Sequence, residues 1–223
     1  MRAHGMGLLA EMMDFDFANE DVVRSWFDKG YFEKRLAVPG ICGAASYEAI
    51  KGTPKFLHIY EADDVHVFYS EAFKEAVASP NDEDAGIASA KIAGVRLVCA
   101  QVYPGLPIKS PACPTVDVAG LAPVVQFGRI FVPLDKKADF NGWYARERVP
   151  LVEKVLGIRR IRRYNPVEGD DVMVVLYEME DASVLETAEW KEIMATSWSA
   201  GVRSYYRQAE GSPGVYRRCG TAY

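Results

Sequence analysis

The chain repeats itself at a fixed offset, and this repeat constrains its fold more than any other feature of the sequence. Of the 53 positions from 26 to 78, 13 hold the same residue 117 positions later, whereas random pairing gives roughly 3. Trp26 matches Trp143 and Gly52 matches Gly169, and the register runs without a gap. The sequence therefore predicts two copies of one structural unit.

Each copy has the same predicted order of elements, β-α-β-β-α-β. A short apolar strand opens each copy, at 8–15 and at 125–134, and an amphipathic helix follows with Asn19 or Asp135 as its N-cap. The second helix of each copy is predicted to begin near Asp64 or Asp181. This order is that of the split β-α-β, or ferredoxin-like, unit.

The predicted fold is α+β, with residues 1–103 and 124–223 as two fused ferredoxin-like repeats. A Pro-rich linker at 104–123 joins them without helix or strand requirements. A four-stranded antiparallel sheet with helices on one face leaves its other face exposed. We therefore expect the two sheets to pack face to face, as an intrachain dimeric α/β barrel with a central cavity.

The third strand of the first copy is apolar on both faces, so its orientation is ambiguous. Leu57 and Ile59 point to one face, and Phe56, His58 and Tyr60 point to the other. We assign the aliphatic face to helix packing and the aromatic face to the cavity wall.

Composition excludes several classes of protein. The net charge of −5 and the pI near 5.3 give no basic surface for nucleic acid. We see no signal peptide and no membrane-spanning run. Four cysteines lack the spacing of a zinc or redox motif, so reduced thiols and a cytoplasmic location are expected; they are Cys42, Cys99, Cys113 and Cys219.

The first helix of each copy carries a motif. The segments WFDKGYFEKRLAVPGI and WYARERVPLVEKVLGI, the latter followed by RRIRRYNPVEG and an LYE strand, resemble EthD-like members of the dimeric α/β-barrel superfamily. The resemblance covers nearly the whole chain and implies that the two halves form the barrel that single-domain relatives build by dimerising. The superfamily contains cofactor-free isomerases, cyclases, decarboxylases and monooxygenases of aromatic or polyketide compounds, and some haem enzymes.

The relatives typically carry W-Y-x-x-E-H-x-P on this helix. The second copy matches at Trp143, Tyr144, Glu147 and Pro150, but Arg148 stands where histidine is expected. The first copy keeps only the tryptophan, so neither half carries the motif histidine. Glu147 remains a candidate substrate-binding residue.

His58 and Asp14 are candidate catalytic residues because their repeat partners, Val175 and Phe131, are apolar. An imidazole on a cavity wall is suited to general acid or base catalysis, and Asp14 would orient it. The alternatives are a hydrogen-bonded core histidine and a solvent-facing aspartate. Phe131, like Phe56, is assigned to substrate binding.

Tyr60 and Tyr177 occupy equivalent positions and are predicted to stabilise an oxyanion; a shared packing role is the alternative. Arg160 and Arg162 occur only in the second copy and are candidates for holding a substrate carboxylate. The alternative for these arginines is a solvated edge strand paired with acidic neighbours.

The favoured function is a cofactor-independent lyase or isomerase that acts on a small aromatic or phenolic compound bound between the repeats. A non-catalytic or stress-associated ligand-binding barrel and a cofactor-free monooxygenase are the alternatives. No metal is expected, since the three histidines do not form a usual ligand set; haem with His58 as axial ligand is the alternative to a cofactor-free site. The oligomeric state, including a homodimer, stays open.

Overall fold

Eight antiparallel strands form a closed barrel. The computed structural model describes residues 6–16, 32–78, 90–104 and 121–219. The strands are β1 (Gly7–Phe15), β2 (Ile41–Lys51), β3 (Phe56–Ala62), β4 (Lys91–Tyr103), β5 (Val124–Phe131), β6 (Ile158–Glu168), β7 (Met173–Met179), β8 (Arg207–Gln208) and β9 (Gly214–Cys219). The order around the barrel is β1-β3-β2-β9-β5-β7-β6-β4, and β4 pairs with β1 to close it, while the short β8 lies beside β5. The mixed α+β class and the barrel predicted from the sequence are confirmed at this level.

Helices cover the outside of the barrel. They are α1 (Glu33–Leu36), α2 (Glu71–Ala78), α3 (Lys137–Trp143), α4 (Val149–Val152), α5 (Ala188–Ala195) and α6 (Ser197–Arg203). A π-helical turn, Tyr144–Arg148, joins α3 to α4, and 3-10 turns at Val65–Tyr69 and Ala182–Glu186 precede α2 and α5. No helix in the described ranges is long and apolar enough to cross a membrane.

The caps differ in part from the prediction. Asp64 and Asp181 each accept a backbone hydrogen bond, but they begin 3-10 turns rather than α-helices. Asp135 was the wrong cap, because it lies inside a 3-10 turn that starts after Pro133. Asn19 and the first helix of the first copy lie outside the described residues.

Element bounds recur at the offset of the sequence repeat. The strands β2 and β6, the strands β3 and β7, and the helices α2 and α5 each start and end 117 residues apart. Gly40 and Gly157, at the same offset, both have a positive φ, 91° and 89°, a conformation that favours glycine.

The barrel interior is packed with side chains, which corrects the predicted orientation of β3. Leu57 and Ile59 belong to the interior cluster, together with Tyr47, Phe127 and Tyr164. His58 and Tyr60 point outward to the helix layer instead. Because both faces of β3 are apolar, the alternation alone did not show which face lies inside.

The end of the linker also packs into the barrel. Leu121 and Ala122 are buried in the interior cluster, and the Tyr47 hydroxyl donates to the Ala122 carbonyl at 3.0 Å. The predicted linker is therefore part of the core at its C-terminal end, while 105–120 lie outside the described residues.

Four charged side chains of the barrel interior form one hydrogen-bonded group. Arg160 and Arg162 donate to the carboxylate of Glu178, with Arg160 Nη2 at 2.6 Å from Oε1 and Arg162 Nε at 2.8 Å from Oε2. Arg162 also donates to Glu61, the repeat partner of Glu178. Glu61 is 3% exposed and Arg162 1%, so we call these four residues the buried charge network.

The charges of this network balance only when both halves are present. The first half supplies one glutamate and the second half supplies one glutamate and two arginines. Burial by itself lowers the pKa of Arg162, but Glu178 and Glu61 outweigh it and hold the pKa well above its ordinary value. Removing one member leaves an uncompensated buried charge, which costs about 3–5 kcal/mol.

We predict that Arg162→Met lowers the free energy of unfolding by about 3–5 kcal/mol, because two buried carboxylates then share one guanidinium. Urea denaturation measures this. The matched control is Arg159→Met on the same strand: Arg159 pairs with Glu180 near the surface, with side chains 28% and 55% exposed, so its loss costs less than about 1 kcal/mol. Equal effects of the two substitutions would contradict the account.

Candidate functional site

A cavity of about 160 Å³ lies between the outward face of the second-half sheet and the helices that cover it. We call it the second-half pocket. Strands β5 and β7 form its floor, and the π-helical turn, α5 and α6 contribute its walls. Its polar and aromatic lining includes Gln126, Tyr144, Arg148, Tyr177, Trp190 and Arg203.

The space exists because two facing positions of the floor are small. Gly128 on β5 pairs with Val175 on β7, and a Cβ at Gly128 would meet its nearest neighbour only at 3.7 Å. The equivalent pair in the first half is Glu11 with His58. The repeat therefore places larger side chains on the first-half floor than on the second-half floor.

Arg148 is a buried cation in this pocket. It is 4% exposed, and its Nε donates to the Tyr177 hydroxyl at 3.0 Å. Its guanidinium carbon lies 4.9 Å from the ring centre of Trp190, 5.3 Å from that of Tyr177 and 5.9 Å from that of Trp143. Its Nη1 has no hydrogen-bond partner among the residues that the structure describes.

Tyr144 extends the contact between Arg148 and Tyr177 into a short chain of hydrogen bonds. The hydroxyl oxygens of Tyr144 and Tyr177 are 3.3 Å apart, and either can donate to the other. Burial, followed by the neighbouring Tyr177, raises the pKa of Tyr144 well above its ordinary value. Tyr144 therefore keeps its proton at neutral pH.

A local distortion of the helix positions Tyr144 and Arg148 at the pocket. Tyr144 and Arg148 are the first and last residues of the π-helical turn, a rare conformation that is frequent at functional sites. Glu147, within the turn, accepts from Trp143 Nε1 at 3.1 Å and from Thr196 Oγ1 at 2.7 Å. These bonds hold the turn against α6, so Glu147 fixes the position of the pocket wall and is not part of the described lining.

The surroundings of the pocket are positively charged. Arg203 lines it, and the guanidinium of Arg163 lies 4.2 Å from the ring centre of Tyr144. Burial lowers the pKa of Arg163. The described lining contains no carboxylate and no imidazole, so this charge is not neutralised from within the pocket.

The predicted convergence of His58 and Asp14 is not seen, because the two residues lie on opposite faces of the sheet. His58 is fully buried under the first-half helices, with its Nδ1 3.3 Å from the Ser46 hydroxyl. Asp14 has the interior parity of β1, and its Oδ1 accepts from the backbone N–H of Lys55 at 2.6 Å. This geometry favours the structural alternative for His58, a hydrogen-bonded core residue.

Tyr60 and Phe56 lie on the same outward face as His58. The ring of Tyr60 packs edge-on against Phe32, with centres 5.4 Å apart, and Phe56 packs against Phe15 at 5.8 Å. Tyr60 is thus equivalent to Tyr177 in position and packs against the rings of Phe32 and Phe73.

The arginines and Phe131 also lie away from the second-half pocket. Arg160 and Arg162 belong to the buried charge network, which corrects both the substrate-binding prediction and the edge-strand alternative. Phe131 lies at the end of β5, against the interior cluster, with the guanidinium of Arg207 4.2 Å from its ring centre. Of the predicted site residues, Tyr177 alone is in the pocket lining that the structure describes.

Sequence reasoning missed Tyr144 and Arg148 as site residues, although their signal was present. Their first-half equivalents are Phe27 and Tyr31, so both positions gained polarity in the second copy. Arg148 stands where the motif has a histidine, and the sequence gives it no role of its own. The substitution itself marks the pocket.

Comparisons with known proteins support the fold. No protein-family model and no curated protein matches the chain. Among solved structures, chlorite dismutase from Candidatus Nitrospira defluvii in complex with imidazole superposes with a TM-score of 0.61 at 13% identity, covering 99% of this chain and 93% of that chain. An anthrone oxidase-like protein gives 0.60 at 8% identity, covering 100% and 93%.

A haem-binding protein from Thermus thermophilus gives a TM-score of 0.55 at 13% identity, covering 96% of this chain and 91% of that chain. These neighbours are dimeric α/β-barrel proteins, and the fold of this chain is theirs. At such identities the likeness is one of fold alone. The finer resemblance to EthD-like members stays a prediction.

We predict that the stability contributed by His58 depends on pH. Burial, with Arg35 and Lys91 nearby, lowers the pKa of His58 from 6.5 to about 3. Between these values the unfolded chain binds a proton that the folded protein does not, so the free energy of unfolding falls as the pH decreases.

His58→Val, which copies the repeat partner, removes this dependence. The stability of the native protein relative to the variant should fall by about 1.4 kcal/mol per pH unit between pH 6 and pH 4. Urea denaturation at several pH values measures it. Parallel curves for the two proteins would show that His58 binds a proton as readily in the folded protein as in the unfolded chain.

Proposed function

We propose that the protein is a lyase or isomerase that binds a small aromatic or phenolic compound in the second-half pocket and stabilises an oxyanion on it. The observation that carries this proposal is the contact between Arg148, Tyr177 and Tyr144 at the wall of a cavity. The proposal moves the site predicted from the sequence from the barrel interior to the helix side of the second half.

The contact between Arg148, Tyr177 and Tyr144 leaves one hydrogen-bond donor for a ligand. Arg148 Nε–H, the Tyr177 hydroxyl and the Tyr144 hydroxyl supply three protons to two contacts. Whichever tyrosine donates to the other, one phenolic proton is left for a ligand. Because Arg148 polarises Tyr177, this proton is suited to an enolate or phenolate oxygen.

The lining also limits the reaction. The described lining residues provide no carboxylate or imidazole to remove a proton from the substrate. Decarboxylation of an aromatic β-keto acid needs no such base. The bond to the carboxyl carbon breaks, CO₂ leaves, and the electron pair is delocalised onto the oxygen that the tyrosine donor stabilises; the carbon then takes a proton from water.

Haem does not fit the described site. A pocket for a drug-sized ligand measures about 300–1,000 Å³, and the second-half pocket measures about 160 Å³. A porphyrin exceeds this volume, and no histidine or cysteine of the described lining is available as an axial ligand. The described residues also contain no group of three or more metal-ligating side chains.

Oxygenation is a second candidate, favoured by the similarity to the anthrone oxidase-like protein. A stabilised enolate or phenolate is also the electron-rich species that a cofactor-free monooxygenase presents to O₂. Both candidates require the same tyrosine donor and differ in whether O₂ is consumed.

We infer that the pocket arose after duplication and fusion of an EthD-like unit. The recurrence of element bounds at 117 residues supports this inference. The second half then acquired Gly128, Tyr144 and Arg148 at positions where the first half has Glu11, Phe27 and Tyr31.

We predict that Tyr177→Phe lowers kcat by about 10²–10³-fold, the usual effect of removing one oxyanion donor. A panel of single-ring aromatic β-keto acids and phenols provides the substrates, with CO₂ release and O₂ uptake recorded in parallel. Tyr60→Phe, the same change at the repeat-equivalent position, is the control and should leave kcat unchanged.

The outcomes separate the candidates. CO₂ release without O₂ uptake supports the lyase, and O₂ uptake identifies an oxygenase. Binding without turnover by any member of the panel would leave the non-catalytic barrel as the correct function. Equal loss of kcat in both tyrosine variants would show that the effect is structural.

A further inference from the structure

We propose that the second-half pocket selects a single-ring aromatic anion, with its carboxylate or phenolate oxygen bound by Arg148. This inference rests on the proposed function, because it names the class of substrate for the same pocket. It depends on the charge, the volume and the walls of the pocket.

The charge of the pocket calls for an anion. The guanidinium of Arg148 is nearly inaccessible to water, and it forms no ion pair with any carboxylate in the described parts of the chain. A buried charge is normally paired. The nearest acid in sequence, Glu147, is already engaged by Trp143 and Thr196.

One nitrogen of Arg148 is available for this pairing. Nε is taken by Tyr177, whereas Nη1 is buried and has no partner among the described residues. A ligand oxygen at Nη1 would form a charge-assisted hydrogen bond. The same oxygen, or the second oxygen of a carboxylate, can accept the surplus phenolic proton of Tyr144 or Tyr177.

The volume of the pocket selects one ring. A protein cavity of about 150 Å³ holds benzene, and the second-half pocket measures about 160 Å³. At the packing density of a protein interior, fused two-ring and three-ring compounds need a larger cavity than one ring does. The preferred ligand is therefore smaller than an anthrone.

The walls favour an aromatic ring over an aliphatic one. Trp143, Tyr177 and Trp190 line the pocket, and the rings of Tyr177 and Trp190 are nearly perpendicular, with centres 5.5 Å apart. Aromatic rings in such arrangements offer edges and faces to a further ring. Met194 adds a polarisable sulfur to the same wall.

Isothermal titration calorimetry of the full-length protein tests this inference with four probes: benzoate, neutral benzamide, 2-naphthoate and acetate. We expect benzoate to bind at least ten times more tightly than each of the others. Benzamide lacks the charge, 2-naphthoate has a second ring, and acetate has no ring.

Arg148→Met should weaken benzoate binding by about 10- to 100-fold, as expected for loss of a charged hydrogen bond, and should change benzamide binding by less than threefold. Arg207→Met is the matched control, because Arg207 lies over Phe131 and away from the pocket; it should leave both affinities unchanged. Arg148→Lys keeps the charge and should retain part of the benzoate affinity, which keeps the test valid if Arg148→Met does not fold.

Equal affinity for benzoate and benzamide, or equal loss in the Arg148 and Arg207 variants, would overturn the inference. Tighter binding of 2-naphthoate than of benzoate would overturn the limit to one ring. Benzoate binding that depends on Arg148, without turnover of any aromatic acid, would support the inference and contradict the proposed function. Turnover of neutral phenols that depends on Tyr177, without benzoate binding, would do the reverse.

Discussion

Charge compensation inside the barrel joins the two halves of the chain. Glu61 is buried in the first half and, among the described residues, its ion-pair partners are Arg160 and Arg162 of the second half. A barrel made of two first halves would bring two glutamates together without an arginine, and one made of two second halves would hold four arginines against two glutamates. The buried charge network therefore favours the pairing of unlike halves. Because this network and packed side chains fill the interior, the pocket proposed to bind the ligand lies on the helix side of the sheet.

The two helix-covered faces differ in complementary ways. The first half has His58, Tyr60 and phenylalanine rings packed together under its helices. The second half has Gly128 and Val175 on its floor and carries Tyr144 and Arg148 on its π-helical turn. The equivalent strand position thus holds the imidazole of His58 in the first half and the smaller side chain of Val175 in the second. Burying an arginine with an unpaired nitrogen costs free energy of folding. A ligand that supplies the opposite charge would account for its presence in the cavity.

Much of the fold could be predicted from the sequence, because the repeat, the turn glycines and the order of elements along the chain can be read directly from the residues. The face of β3 that lies inside the barrel could not be predicted, because residues 56–60 alternate between two apolar faces. Only the closed barrel distinguishes these two faces. The site was missed for a related reason. Polar residues that break an apolar pattern, such as His58 and Asp14, stand out in a sequence. A pocket depends instead on positions where the side chains are small. Gly128 and Val175 give no such signal until the strands are paired. Tyr177 is identifiable because it repeats, whereas Arg148 matches neither the repeat nor the motif.

The proposed ligand site lies in the second half, at Arg148. Nuclear magnetic resonance of the tryptophan side chains tests it most directly, since each indole N–H gives one signal. Trp143 and Trp190 line the second-half pocket, Trp198 donates to Asp139 outside it, and Trp26 is the first-half equivalent of Trp143. Titration with benzoate should shift the signals of Trp143 and Trp190 and leave those of Trp26 and Trp198 in place. A shift of the Trp26 signal without one at Trp143 or Trp190 would contradict the account.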